Sequence, residues 1–172
     1  MLHDAAATQT IFTLPQGALA LGIARACRAT LVEFLNGSPN WGKQSLARWL
    51  LGPYSALTSL GSSLLEVSPP PSSRRGHVEP AKLRAILADA RAGTIALMRA
   101  ASLPDTGLAL AYDSWRDGAI APCEDESGAK GWLPLHVPGM RLRDRVRALW
   151  AIDYLMRPED YKSLLCVCPS CD

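Results

Sequence analysis

Apolar residues recur along most of this chain at intervals of three and four, the spacing that lays one stripe down an α-helix. Ile23, Cys27, Leu31 and Phe34 form the first stripe. They predict a helix that begins after Pro15, a residue tolerated in a first turn, with Arg25, Arg28 and Glu33 off the stripe. Asn36-Gly37 is the expected stop, because both residues accept left-handed backbone angles. A second helix over 44–51 places Leu46, Trp49 and Leu50 on one side. Gly52-Pro53 breaks it. A third, over 54–65, carries Leu57, Leu60, Leu64 and Leu65 with small residues between them, a face suited to close helix packing.

Pro80 opens a fourth helix with Leu83, Leu87, Ala90, Thr94 and Leu97 in line, expected to be the longest and a central packing partner. A fifth runs over 106–115, capped by Asp105 and closed by Asp117-Gly118. The sixth, over 141–156, sets Leu142, Val146, Leu149, Ile152 and Met156 on one face, with Trp150 and Tyr154 at its border. A short last helix starts at Pro158, with Glu159 and Asp160 where the helix dipole is positive. Cys27 sits on the first stripe and is read as a small buried hydrophobe.

Period-two character is confined to 119–123 and 132–137, which flank a polar loop and predict one small β-hairpin within 119–137. Pro122 and Pro134 keep its strands short and edge-like. The acidic run Glu124, Asp125, Glu126 is read as loop solvation. The expected fold is therefore mainly α, about six helices with one hairpin. Residues 1–172 are read as a single domain, with a flexible lead-in at 1–14, a Pro/Ser/Arg linker or loop at 68–77, and a Cys-rich tail at 166–172.

Composition narrows the function classes. With 172 residues, 48% of them hydrophobic and 20% charged, the chain has globular usage and room for a core. A formal charge of +2 is too small to argue for nucleic acid. The uncharged run over 49–65 is interrupted by Gly52, Pro53 and Gly61, which makes it a poor membrane span. No secretory signal is visible. Five cysteines, three of them crowded at one end, do not resemble a secreted disulfide framework and point to a reducing cytoplasm.

Two candidate sites emerge. Cys168-x-x-Cys171 is a usual half-site for zinc, with Cys166 as a third ligand and Cys123 of the hairpin as the fourth; His136 and His77 are substitutes. The same Cys168 and Cys171 could form a redox pair, but they follow a helix, at its negative end, which disfavours a thiolate. The second candidate is Arg141, Arg143, Arg145 and Arg147, expected to fan around the exposed half of the sixth helix as a partner-binding surface. Asp153 is placed to pair with Arg157 one turn on.

Residues 37–45 approach the phosphate-binding pattern, yet Gln44 stands where the magnesium-binding hydroxyl belongs, and a helix rather than a strand is expected before it. No Ser/His/Asp set or metal-protease spacing appears. The sequence thus favours a non-enzymatic protein-interaction or regulatory protein with a structural zinc at its C-terminus and an unidentified protein partner. The alternatives are a thiol-disulfide oxidoreductase using Cys168 and Cys171, or a nucleotide-binding protein using the degenerate loop from Gly37 to Gln44.

Overall fold

The structure is a computed structural model, and it describes residues 18–64, 79–124 and 128–163. Its elements in chain order are α1 (Ala18–Gly37), a 3-10 turn (Ser38–Asn40), α2 (Lys43–Trp49), a π turn (Leu50–Tyr54), α3 (Ser55–Leu64), α4 (Pro80–Ala100), α5 (Pro104–Arg116), strands β1 (Ile120–Glu124) and β2 (Lys130–Pro134), α6 (Leu142–Met156) and α7 (Pro158–Ser163). The fold is mainly α with one small hairpin, as the apolar spacing predicts.

The stripe of α1 is buried as expected: Ile23, Cys27, Leu31 and Phe34 all lie in the core. So are Leu83, Leu87, Ala90 and Thr94 of α4. Helix α4 is the longest of the described helices and packs closely on α6, as expected, while the centre of the molecule is α6 itself. Helices α1, α4 and α5 and strand β2 all pack on α6. From Ala148 to Met156 every residue of α6 is buried. Ala148 and Ala151 let neighbouring helices approach closely, and Leu149, Trp150 and Ile152 fill the space between them. The expected two-faced helix, apolar on one side and wet on the other, is therefore corrected. A helix enclosed on several sides is apolar all round, and only the arginine-bearing first half of α6 reaches solvent.

Three boundaries also differ from expectation. Gly37 is right-handed (φ −87°, ψ −35°), so α1 does not end on a left-handed residue. The chain instead turns through Ser38-Pro39-Asn40, and the Trp41 indole folds back onto Gly37 where a Cβ would collide with it. Helix α5 starts earlier than Thr106: Leu103 is its N-cap, makes no side-chain cap bond, and leaves Asp105 in the first turn beside the positive helix end. The strands pair antiparallel with Ile120 opposite Pro134 and Glu124 opposite Lys130, so β2 begins before Trp132 and ends before Leu135. Gly118 does close α5 in the left-handed region (φ +71°), its N–H donating to Trp115 O.

Gly52 breaks the chain between α2 and α3 with non-helical angles (φ −98°, ψ −106°). The break does more than stop a helix. It turns Tyr54 inward, where its ring stacks on Trp49 with centroids 5.4 Å apart. Trp49 is itself fixed, since its Nε1 donates to Thr30 O at 3.1 Å and its ring meets Phe34 at 5.3 Å. An aromatic column therefore anchors the π turn to α1.

Candidate functional site

Asp153 is the one carboxylate buried in the core among the described residues, at 1% exposure. An ionised group there needs charge partners and hydrogen bonds to offset lost hydration. Arg28 Nε of α1 donates to both oxygens, at 2.9 and 3.0 Å. Arg157 Nη2 donates to Oδ1 at 2.6 Å, and the Tyr161 hydroxyl of α7 donates to Oδ2 at 2.6 Å. Arg28 Nη2 reaches on to Asp160 at 2.8 Å. Burial, with the negative Asp153 beside it, pushes the Tyr161 hydroxyl pKa well above its ordinary value. The cluster joins α1, α6 and α7. With both oxygens occupied by protein donors, it is a structural clamp rather than a place where chemistry begins. The expected Asp153–Arg157 pair is present, as part of a larger set.

The four arginines of α6 part company. Arg141 is exposed at the N-cap, and Arg143 is exposed with a loose 3.6 Å contact to Asp89. Arg147 is turned inward: its Nη2 donates to Leu110 O at 2.9 Å and to Asp113 at 3.1 Å, which ties α6 to α5. Arg145 is half-buried, with Nε donating to Met140 O at 3.2 Å and its guanidinium carbon 5.4 Å from the Tyr54 ring centroid. The expected fan of four exposed cations is thus corrected to two. Alternate residues on a helix point about 200° apart from one another, so α5 and the π turn, packed against α6, intercept part of the series.

Arg145 and Tyr54 line a groove of about 410 Å³ between the π turn, the start of α4 and the start of α6. Leu46, Leu50, Leu83 and Leu142 supply apolar wall, and Leu51 (80% exposed) and Ile86 (37% exposed) stand at its rim. Arg145 is the only charged side chain among its described lining residues, and none of them is acidic. His136 also lines it, its pKa lowered by burial and then by the nearby Arg145 charge, so the ring is neutral at pH 7. Burial raises the Tyr54 pKa to about 12, with Arg145 opposing the shift. The Tyr54 hydroxyl is buried, with the Arg145 guanidinium as its polar neighbour at a geometry short of a well-formed hydrogen bond.

Of the proposed zinc ligands, only Cys123 lies among the described residues; Cys166, Cys168 and Cys171 fall outside them, as does His77. Cys123 is half-buried on β1 opposite Gly131. Among the described residues, no three His, Cys, Asp or Glu side chains gather in a metal-binding group. The loop from Gly37 to Gln44 lies between two helices, not between a strand and a helix, and Gly42 is the N-cap of α2. A phosphate loop needs the strand to aim its N–H groups, so this segment is a helical turn. Asp113, near the end of α5, is helical and holds Arg147. Among the described residues, no helix is long and apolar enough to cross a membrane.

Comparison with protein families, with curated proteins and with solved structures gives no match. The site residues that sequence patterning did not single out are Tyr54 and Arg28. The Gly52-Pro53 break followed at once by an aromatic was the available signal for the first. Nothing local marks the second.

Proposed function

We propose that the chain is a non-enzymatic protein-interaction module that docks a partner on the face where α4 meets the start of α6. One observation carries this reading. Lys82 and Arg141 are exposed near the apolar Ile86 and Leu142, in a shallow concavity of about 410 Å³, and no carboxylate among the described residues pairs with either cation. Apolar surface framed by unspent cations suits a partner that offers an apolar anchor within acidic surroundings. Arg143 adds to the rim, and its long contact with Asp89 is weak enough to exchange. Arg147 and Arg145 are not part of this face. The test is charge reversal with Lys82→Glu and Arg141→Glu together. Affinity capture followed by cross-linking should recover a partner with the wild-type chain at low salt and lose it with the double variant at an unchanged melting temperature. A partner retained by the double variant overturns the assignment of the face.

A structural zinc held by Cys123, Cys166, Cys168 and Cys171 is the second part of the proposal. Its support is the position of Cys123. Gly131, opposite Cys123, packs flush on Ala20 of α1, while Arg157 at the head of α7 reaches the carbonyl of Ala24, one turn further along the same helix at 3.4 Å. The hairpin thiol and the last described helix thus flank the same stretch of α1. Metal analysis of the purified chain should find about one zinc per chain, lost in Cys168→Ser and in Cys123→Ser. Metal-free protein with a readily reversible Cys168–Cys171 disulfide favours the thiol-oxidoreductase alternative instead.

A further inference from the structure

Lys82, Ile86, Asp89 and Gly93 follow one another along α4 at intervals of four, three and four, so they share the face of that helix that meets the start of α6. Arg143 of α6 crosses this face at Gly93. A Cβ on Gly93 would lie 2.8 Å from Arg143 Nε and 3.2 Å from its Cζ, so the guanidinium rests on bare backbone in a lane that a larger residue would close. One turn back along the lane stands Asp89, whose carboxylate meets Arg143 Nη1 at 3.6 Å. Both side chains are more than half exposed. Asp89 is also the only acid among the described residues lining the concavity that holds Lys82, Arg141 and Arg143. We infer that Asp89 is a built-in competitor of the partner: in the free protein it holds Arg143 down across Gly93, and an acidic peptide docks by taking Arg143 from it. The inference rests on the reading of this face as a partner site and adds its regulation.

The energetics favour exchange over permanence. An exposed ion pair at such a distance is held weakly, because both groups keep their hydration. Lys82 and Arg141, which face no carboxylate among the described residues, give an acidic peptide its first hold. An apolar anchor seated on Ile86 and Leu142 then excludes water beside Arg143, where a peptide carboxylate interacts more strongly than Asp89 does in open solvent. A neutral apolar ligand gains nothing from breaking the pair, so the pair screens against it. While Asp89 holds Arg143 the face is only partly competent, and the apparent affinity is lowered by the fraction of molecules in which the pair is open. The aliphatic surface of Ile86 and Leu142 argues for a peptide rather than a nucleic acid, whose phosphates bring no matching anchor.

The probe is a fluorescein-labelled peptide, Glu-Glu-Leu-Glu-Glu, titrated with the full chain at low ionic strength and followed by anisotropy. Wild type should bind it saturably, and Lys82→Glu with Arg141→Glu should abolish binding. Asp89→Asn should tighten binding about threefold, the gain expected when a weak exposed pair no longer holds the cation. In an Arg143→Gln background the same Asp89→Asn change should give no gain, because the contested cation is gone. Gly93→Ala changes no charge and lifts Arg143 off its lane, so it should tighten the probe as well. A gain from Asp89→Asn that persists without Arg143 is plain removal of a repelling charge and overturns the inference, as does a Gly93→Ala protein that binds like wild type. Failure of the reading beneath it looks different: the probe then binds no variant, or binds wild type and the Lys82/Arg141 double variant alike. A single-stranded oligothymidylate bound as tightly as the peptide overturns the choice of a peptide.

Discussion

Arg28 and Asp153 are 125 positions apart in the chain and share a hydrogen-bonded ion pair in which one Nε serves both carboxylate oxygens at 2.9 and 3.0 Å. Truncating one side of such a pair leaves the other charge buried and uncompensated, which costs on the order of 3–5 kcal/mol. Asp153→Asn should lower the stability measured by urea denaturation by about that amount. Arg28→Met should cost less, because Arg157 and Tyr161 still hold the carboxylate. The double variant should be less damaged than the sum of the two, with a coupling of about 1–3 kcal/mol. Strict additivity would mean that the pair contributes nothing of its own.

Two glycines should respond in opposite directions to alanine. A Cβ on Gly107 would run into the Tyr154 ring, which is stacked on Trp150 at 26° and has no room to retreat. Gly107→Ala is expected to destabilise by about 1–3 kcal/mol. A Cβ on Gly22, within α1, meets nothing within 4 Å. Gly22→Ala should stabilise by about 0.5–1 kcal/mol through higher helix propensity. Thermal melts of both variants decide the point, and a Gly107→Ala protein as stable as wild type would contradict the packing described.

Alkaline pH should expose the buried tyrosine of the groove. Tyr54 ionises near 10 when unfolded and is raised to about 12 in the fold. The unfolded chain therefore binds fewer protons between these values, so the stability held in the neutral hydroxyl is complete below pH 10 and falls as pH rises from 10 towards 12. The stability difference between wild type and Tyr54→Phe should shift against wild type across that window, by about 3 kcal/mol in total. A pH-independent difference would place the hydroxyl in water.

Cys27 should be chemically silent in the native protein. Burial, and secondarily the charge of Asp153, drive its thiol pKa far up, and the thiolate is the reactive form. Iodoacetamide followed by peptide mapping should leave Cys27 unmodified until urea unfolds the chain. Native-state labelling at Cys27 would contradict its enclosure.

Much of the fold was legible because its stripes are local. The α1 and α4 faces, the Gly52-Pro53 break and the Gly118 stop come from spacing and backbone chemistry within a few residues. The pair Asp153–Arg157 was legible for the same reason, at one helical turn. Arg28 was not, since nothing near it in sequence says that a carboxylate from α6 lies opposite. The arginines of α6 were misassigned because alternation shows only that they point in different directions. Which of those directions meets α5, the π turn or water is settled by packing between distant segments. Likewise the groove depends on Tyr54, Leu83 and Arg145 coming together from three separate helical regions.

The clamp on Asp153 also sets how the last described helix is held. Tyr161 and Asp160 moor the six-residue α7 to the body of the protein. Replacing the core carboxylate would remove the Tyr161 hydrogen bond together with the Arg28 and Arg157 contacts, so one enclosed group governs the junction of α1, α6 and α7.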